Sequence, residues 1–241
     1  MKQTFNDYSL ASNLKTLADL AMIFPSITFE KGRRFALRIP VFIFLNHKYH
    51  LVAFGIFLWR YWRNLLGWRL VGQRDGVTLL KHGNDLLALD DLHLGYVMRE
   101  WRNWEFEYLP SFTLQGKVVL DVGAGCGETA YFFLLSGAKM VIAVEPDDTA
   151  SKLLLQNVRR NRWNVQVIAD RFRLEHLRFP HDFMKMDGEG CESLLLNYDR
   201  KLKPCFIEAH SDEIAKALTM KFPLSLVNRL PSGVVFLKGS S

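Results

Sequence analysis

A glycine-rich stretch in the middle of the chain has the residue types needed to hold a flat organic ligand. Residues 118–129 read Val-Val-Leu-Asp-Val-Gly-Ala-Gly-Cys-Gly-Glu-Thr. Because glycine has no side chain, the backbone at Gly123, Gly125 and Gly127 can turn sharply and come close to a ligand. An apolar, strand-like run precedes this loop and a helical pattern follows it. The arrangement favours a nucleoside-binding site at the edge of a parallel sheet.

Three carboxylates accompany the loop at the predicted ends of successive strands. Asp121 leads into the loop, Glu145 ends the second strand and Asp170 ends the third. A carboxylate in the position of Glu145 accepts both ribose hydroxyls in such folds. Asp121 favours a ligand with a cationic or donor-rich portion, and Asp170 would lie near an adenine amino group or would be an ordinary surface acid. We therefore predict that these three acids and the three glycines bind the nucleoside.

Two classes of phosphate-containing ligand fit the loop poorly. A dinucleotide-binding loop has a third small residue three positions after the second, where this chain has Glu128. A carboxylate there would repel a pyrophosphate. A phosphate-cradling Gly-Lys-Ser/Thr loop is also excluded, because Gly127 is followed by Glu128.

A second group of polar residues follows the next two predicted strands. Ligands of open parallel sheets lie beyond the carboxyl ends of the strands. We therefore expect this group to face the reactive end of the bound nucleoside. Its members are Asp187, Glu189, Glu192, Glu208 and His210.

The glycine stretch followed by Glu145 resembles the cofactor loop of class I S-adenosylmethionine-dependent methyltransferases, and the similarity extends over about residues 117–238. Residues 182–192 (DFMKMDGEGCE) resemble the Lys-x-Asp-x-Glu-Gly-x-Glu block of FkbM-like methyltransferases, and residues 207–210 (IEAH) resemble their Glu-x-His. Gly188 departs from the hydrophobic residue common in that block. The resemblance implies S-adenosyl-L-methionine as cofactor and O-methylation of a natural product or sugar.

In such a reaction a base removes the proton of the methyl acceptor. His210 is the first candidate because imidazole titrates near neutrality, and Asp187 is the second candidate or its partner. A satisfied histidine at a strand end is the alternative for His210. Carboxylates with a histidine could also hold a divalent metal, but we predict none. Glu189 and Glu192 are expected to open a helix, where carboxylates favour the positive end of the helix dipole, and Glu192 is expected to cap it. Cys191 is expected to be a packing residue rather than a nucleophile.

The sequence favours a small hydroxylated acceptor over nucleic acid. Enzymes that methylate exocyclic amino groups of nucleic acids often carry an Asn/Asp-Pro-Pro-aromatic loop after the fourth strand, whereas residues 187–190 read Asp-Gly-Glu-Gly. Ribose or ring-carbon methylation of tRNA or rRNA is the second hypothesis. A cofactor-fold protein that binds partners without catalysis is the third. The oligomeric state is left open.

Residues 31–74 contain nine Lys or Arg and ten aromatic residues, and no Asp or Glu. This composition is compatible with three roles. The segment could bind RNA through phosphate pairing and base stacking, or residues 54–69 could lie on an anionic membrane surface. It could also pack its aromatic residues on the catalytic domain while its charges remain solvated.

The order of elements predicts an α/β fold. Five apolar runs separated by helices indicate a mostly parallel sheet, and two strands around a Pro-Ser-Gly turn predict a C-terminal antiparallel hairpin. The resemblance implies that this is the Rossmann-like sheet of class I methyltransferases, which the terminal hairpin fits. Residues 1–75 are expected to form a mainly helical extension, and residues 76–241 the catalytic domain. The predicted strands of that domain lie at about residues 77–80, 86–89, 117–122, 139–144, 165–169, 182–186, 205–209, 225–230 and 234–239.

Composition sets the remaining bounds. The chain has 241 residues, of which 49% are hydrophobic, and a net charge of +6, which is typical of a folded protein rather than a disordered one. Its three cysteines, Cys126, Cys191 and Cys205, give no disulfide framework and favour a reducing cytoplasmic location. No signal peptide is evident, and polar residues interrupt the most apolar segment, residues 35–59.

Overall fold

The computed structural model of the chain describes residues 64, 66–109, 113–230 and 233–239. The chain divides into two compact units, Met1–Arg102 and Asn103–Ser241. The helical pattern that the sequence predicts before residue 64 lies outside the described residues.

The described part of the first unit contains a three-stranded antiparallel sheet. Its strands are β1 (Trp68–Arg74), β2 (Val77–His82) and β3 (Asp85–Asp90), hydrogen-bonded in that order. β2 and β3 were expected as strands, whereas β1 was assigned to the mainly helical segment. The boundary predicted at residues 75 and 76 falls in the turn between β1 and β2. The turn at residues 75 and 76 therefore joins two strands of one sheet. The two compact units divide after Arg102 instead.

Helix α1 (Asp91–Glu100) follows β3 directly. It begins at Asp91 because the Asp90 carboxylate accepts a hydrogen bond from the His93 backbone N–H and caps the helix. The buried side of α1 presents Leu94, Val97 and Met98.

The second unit is built on a seven-stranded sheet in the order β6-β5-β4-β7-β8-β10-β9. β10 is antiparallel to both β8 and β9, and the other pairs are parallel. This confirms the predicted parallel sheet and terminal hairpin. The strands are β4 (Val118–Val122), β5 (Met140–Val144), β6 (Val165–Ile168), β7 (Phe183–Met186), β8 (Cys205–Ala209), β9 (Leu224–Arg229) and β10 (Val235–Gly239).

Helices connect these strands as a parallel sheet requires. The α-helices are α2 (Trp104–Glu107), α3 (Glu128–Leu135), α4 (Asp148–Asn161) and α5 (Asp212–Lys221), and Leu174–Arg178 and Cys191–Asn197 form 3-10 helices. The second 3-10 helix corrects the expectation that Glu189 and Glu192 open a helix together. Glu189 precedes it with a φ of 51°, and only Glu192 lies within it.

The two faces of the seven-stranded sheet differ in chemistry. One face carries aliphatic residues that form the main core, such as Leu120, Ile142 and Ile207. On the other face Asp121 of β4 lies beside Lys185 of β7, which lies beside Phe206 of β8. Because side chains alternate along a strand, this second face places polar groups among aromatic residues near the carboxyl ends of the strands.

Among the residues that the structure describes, no helix has the length and apolar character needed to cross a membrane.

Candidate functional site

The glycine loop between β4 and α3 has backbone angles that favour glycine at all three positions. The φ values are 74° at Gly123, 55° at Gly125 and 93° at Gly127. The loop lies against the end of β5, because the backbone N–H groups of Gly123 and Ala124 donate to the Val144 carbonyl at 2.9 and 3.3 Å. The loop thus sits at the carboxyl end of the parallel strands, as the sequence predicts.

Close packing leaves no space for a side chain at two of the glycines. A side-chain carbon at Gly123 would collide with the backbone carbonyl of Asp187, and one at Gly127 would approach Leu154 Cδ1 to 2.6 Å. At Gly188, which departs from the FkbM-like block, the Cys191 sulfur occupies the space of a side chain. The loop and the segment after β7 are therefore in direct backbone contact.

Glu145 joins the glycine loop to the start of α4. Its Oε2 accepts a hydrogen bond from the Gly125 N–H and its Oε1 accepts one from the Asp147 N–H, both at 2.8 Å. Each carboxylate oxygen retains a lone pair for another donor. The side chain is buried but stands at the predicted strand end, so its role as a ribose ligand stays a prediction.

Asp170 is separate from the other predicted site residues. It lies two residues beyond the end of β6, where its Oδ1 accepts from the Arg171 N–H at 2.7 Å and its Oδ2 pairs with Arg173 at 2.6 Å. Its side chain is 45% exposed. One Asp170 oxygen is ion-paired with Arg173 and the other accepts a hydrogen bond from a backbone N–H. Contact of Asp170 with an adenine amino group therefore stays a prediction.

Asp121 is fully buried beside a buried cation. Its Oδ2 accepts a hydrogen bond from the Thr129 hydroxyl at 2.6 Å, and its Oδ1 lies 3.4 Å from the Lys185 ammonium. Burial raises the pKa of Asp121, while Lys185 and Thr129 act in the opposite direction. The nearby Asp121 and Asp187 carboxylates raise the pKa of Lys185 against the effect of burial, so this side chain is an ammonium ion at neutral pH.

Lys185 is the residue of this site that sequence reasoning missed. The sequence signal is a lysine within the apolar run Phe-Met-Lys-Met of β7, where all four residues are buried. Lysine is almost never fully buried without a partner. Asp187 follows Lys185 by two residues, just after the end of β7, and its Oδ2 lies 3.8 Å from the Lys185 ammonium.

His210 lies among three carboxylates just beyond β8. Its Nδ1 is 3.3 Å from Glu192 Oε1, and its Nε2 is 3.7 Å from both Asp187 Oδ1 and Glu189 Oε2. The His210 backbone N–H also donates to Glu192 Oε1 at 2.8 Å. The structure therefore brings together the predicted pair, His210 and Asp187.

The electrostatics of this cluster change the role expected for His210. The hydrogen bond to Glu192 raises the pKa of His210 to about 9, despite the opposing effect of burial, and the Asp187 and Glu189 carboxylates add to the rise. An imidazolium ion at neutral pH cannot accept a proton. The premise that His210 titrates near neutrality is therefore not met, and Asp187 becomes the better candidate for the base.

Replacing Glu192 by glutamine is expected to lower the pKa of His210 from about 9 toward its ordinary value of 6.5. The amide oxygen can still accept the hydrogen bonds, but it carries no charge. Titration of the His210 ring protons by NMR measures the shift. A wild-type value near 6.5 would contradict this description of the cluster.

The same shift fixes the pH dependence of stability. Because the pKa of His210 is higher in the folded state, protonated His210 stabilises the folded protein. This contribution is fully present below pH 6.5 and is lost as the pH rises through about 9. The free energy of unfolding of the wild-type protein should therefore fall over that interval. The Glu192→Gln protein should show a smaller fall.

Two minor expectations for the segment after β7 have different outcomes. Glu192 does not serve mainly as a helix cap, because its Oε1 is bonded to His210 and its side chain is fully buried. Burial raises the pKa of the Cys191 thiol to about 12. A neutral thiol is a weak nucleophile, which is consistent with the packing role expected for Cys191.

One group of site residues has the donor types of a metal centre. Ligand atoms of Asp187, Glu208 and His210 lie within 4.8 Å of one another. The Lys185 ammonium is 3.8 Å from Asp187 Oδ2, and a divalent cation would be repelled by it. His210 would also have to lose its proton before it could bind a metal ion.

The arrangement has the chemistry required to hold a donor-rich ligand and to accept a proton. Glu145 provides acceptor atoms at the glycine loop and Asp187 provides them after β7, whereas Asp121 is fully buried against Thr129 and Lys185. Asp187, whose side chain is 28% exposed, is accessible to a second molecule. The site can therefore bind a ligand with hydroxyl and ammonium groups and remove a proton from an adjoining nucleophile.

The second unit has the Rossmann-like class I methyltransferase fold. Numbered along the chain within this sheet, its strands lie in the order 3-2-1-4-5-7-6, with the seventh antiparallel to its neighbours. The glycine loop follows the first of these strands, at its carboxyl end. No protein-family model matches the chain.

Relatives among curated proteins match parts of the chain. "Uncharacterized protein 158B" of Sulfolobus islandicus rod-shaped virus 1 is 29% identical over 39% of this chain and 60% of the viral protein. Ribosomal protein L11 methyltransferase of Sorangium cellulosum is 28% identical over 49% of this chain and 40% of that enzyme. tRNA U34 carboxymethyltransferase of Pseudomonas putida is 46% identical over 24% of this chain and 19% of that enzyme. The chain thus spans less than two thirds of each of these relatives.

Solved structures resemble the chain at low sequence identity. The M. jannaschii TYW2 structure in complex with AdoMet is 21% identical, with a TM-score of 0.48, and the similarity covers 70% of this chain and 86% of that one. Methanocaldococcus jannaschii Trm5 in complex with adenosine is 15% identical, with a TM-score of 0.47, and covers 70% of this chain and 56% of that one.

Proposed function

We propose that the chain is an S-adenosylmethionine-dependent methyltransferase. The observation that carries this proposal is the glycine loop at the carboxyl end of β4, tied through Gly125 to the Glu145 carboxylate. The two ribose hydroxyls of the cofactor match the acceptor atoms of the Glu145 carboxylate. The partial similarity to ribosomal protein L11 methyltransferase supports the same activity.

Different residues of the site would have different roles in methyl transfer. S-adenosylmethionine, when bound, supplies an electrophilic methyl group on a positively charged sulfur. Glu145 and the glycine loop would hold the nucleoside, and the buried Asp121 would support the loop through Lys185 and Thr129 rather than contact the ligand. The Asp187 carboxylate would take the proton of the acceptor hydroxyl, whose oxygen would receive the methyl group while the carbon–sulfur bond breaks and its electron pair stays on sulfur. The His210 imidazolium, 3.7 Å away, would hold Asp187 in place.

For the acceptor we infer RNA, from the composition of one segment and from one relative that is named for action on tRNA. One matched enzyme is named for action on tRNA and another for action on a ribosomal protein. The basic, aromatic composition of residues 31–74 suits phosphate pairing and base stacking. Since the Asn/Asp-Pro-Pro-aromatic loop is missing at residues 187–190, we expect a ribose hydroxyl or a ring atom rather than an exocyclic amino group.

Transfer of labelled methyl groups from S-adenosylmethionine to total RNA tests this acceptor class. The full chain should label RNA, and Arg60→Gln with Arg63→Gln in the basic segment should weaken labelling and reduce its salt dependence. Labelling of a hydroxylated small-molecule fraction, with none in RNA, would overturn the choice of acceptor while leaving the methyltransferase activity in place.

A small hydroxylated molecule is the second candidate acceptor. The observation that favours it is the cluster of Asp187, Glu208 and His210, which corresponds to the FkbM-like block and its Glu-x-His. The negative charge of this cluster would repel a nearby phosphate. A compact acceptor with hydroxyl donors would avoid that repulsion.

Replacing Glu145 by glutamine is expected to weaken S-adenosylhomocysteine binding by about 10- to 100-fold, which corresponds to one or two charge-assisted hydrogen bonds. The glutamine NH₂ group would face either the Gly125 or the Asp147 N–H, both of which are donors. Asp148→Asn, at a side chain that is 93% exposed on the same turn, is the matched control. Isothermal titration should show unchanged affinity for the control, and equal affinities for both variants would contradict the role of Glu145.

A further inference from the structure

Lys185 has no task in the chemistry described so far, although its charged side chain is almost completely buried. Its side chain is 1% exposed and lies in β7 between the cofactor loop and the residues that face the acceptor. A lysine is rarely buried to this extent unless every donor is engaged. The identity of its partners therefore indicates what the residue is for.

The partners of the ammonium group lie on both sides of the site. On the cofactor side, Nζ donates to the Gly123 carbonyl at 2.7 Å and to the Val122 carbonyl at 3.4 Å, and it lies 3.4 Å from Asp121 Oδ1. On the acceptor side it lies 3.8 Å from Asp187 Oδ2. One cation thus contacts the loop, the buried acid and the candidate base.

The groups around the Lys185 ammonium require a positive charge at this position. The Tyr108 ring lies 5.6 Å from Nζ and helps to exclude water from it. Four carboxylates raise the pKa of Lys185 through their negative charge: Asp121, Asp187, Glu208 and Glu128. An uncharged side chain of the same length would fill the space but leave the loop carbonyl and the carboxylates without their common donor.

We propose that Lys185 is a positioning residue, which holds the Gly123 carbonyl, Asp121 and Asp187 in one arrangement and so sets the cofactor loop and the candidate base together. This role rests on the proposed methyltransferase function. It goes beyond neutralising Asp121, because the shortest contact of the ammonium group is with the loop carbonyl and not with a carboxylate.

A pair of variants separates positioning from charge neutralisation. Asp121→Asn removes the buried acid but leaves Lys185 with Gly123 and Asp187. Adding Lys185→Met to it removes the ammonium group without leaving Asp121 buried and uncompensated, so the double variant is expected to fold even if Lys185→Met alone does not. Binding of S-adenosylhomocysteine to each full-length protein is measured by isothermal titration, and circular dichroism checks the fold.

The double variant is expected to bind S-adenosylhomocysteine at least tenfold more weakly than Asp121→Asn. Equal affinities would show that Lys185 only neutralises Asp121 and would overturn the positioning role. If the wild-type protein itself failed to bind, the proposed function would fall and this role with it. Wild-type binding with equal affinities for the two variants would overturn the role of Lys185 alone.

Methyl transfer at saturating S-adenosylmethionine provides a readout that neutralisation of Asp121 would not move. The Lys185 ammonium group lies 3.8 Å from Asp187 Oδ2, so the candidate base should lose its position in the double variant. The double variant is therefore expected to transfer methyl groups to total RNA at least tenfold more slowly than Asp121→Asn. Equal rates at saturation would contradict the proposal.

Discussion

Replacing Gly123 by alanine is expected to abolish S-adenosylhomocysteine binding and to lower the free energy of unfolding by roughly 2 to 4 kcal/mol. Alanine at a φ of 74° is strained, and its methyl group would collide with the Asp187 backbone carbonyl. The backbone cannot rotate away as a side chain could, so the loop must move off the end of β7. Urea denaturation and isothermal titration measure the two effects.

Gly116 provides a matched control because its φ is also 74° and nothing lies within 4 Å of the position of a side-chain carbon. Gly116→Ala should therefore cost only the backbone term, about 1 to 2 kcal/mol, and should leave binding unchanged. The difference between the two variants isolates the contact between the loop and the segment after β7. Equal losses of stability, with binding retained in both, would contradict the loop geometry.

Replacing Asp187 by asparagine is expected to lower methyl transfer by about 10² to 10⁴, the usual contribution of a general base. Asparagine has the same shape and keeps an acceptor oxygen near the Lys185 ammonium and the His210 imidazolium, but it cannot take up a proton. Binding of S-adenosylhomocysteine should change by only a few fold. Incorporation of labelled methyl groups into total RNA measures the transfer.

Asp199→Asn is the matched control for this experiment. The Asp199 side chain is 94% exposed and pairs with Lys221, so the same chemical change should leave transfer within about twofold of the wild-type rate, as is usual for surface substitutions. Undiminished transfer by the Asp187→Asn protein would rule out Asp187 as the base. His210 would then have to lose its proton in the ligand-bound state to take that role.

The fold of the second unit could be predicted because its strands are buried on both faces. Continuous apolar runs such as Val118–Val122 and Met140–Val144 are typical of parallel strands. β1 was missed for the opposite reason. Four consecutive residues at its end are exposed, so the strand shows neither a continuous apolar run nor alternation, and its glycine and glutamine suggested a turn.

The positions of the glycine loop and of Glu145 could be predicted from local spacing, because a turn and a strand end are properties of short segments. Their roles in binding a ligand stay predictions. The protonation of His210 depends on Glu192, which is 18 residues away along the chain and reaches it only through the folded structure. The same holds for Lys185, whose contact with Gly123 spans 62 residues.

Titration of S-adenosylhomocysteine into the full-length wild-type protein tests the central claim most directly. The account predicts saturable binding of one ligand per chain, with a dissociation constant well below 1 mM, and its loss in the Gly123→Ala protein but not in the Gly116→Ala protein. If folded wild-type protein gave no binding heat at millimolar ligand, and equilibrium dialysis agreed, the loop would not be a cofactor site and the proposed function would be wrong.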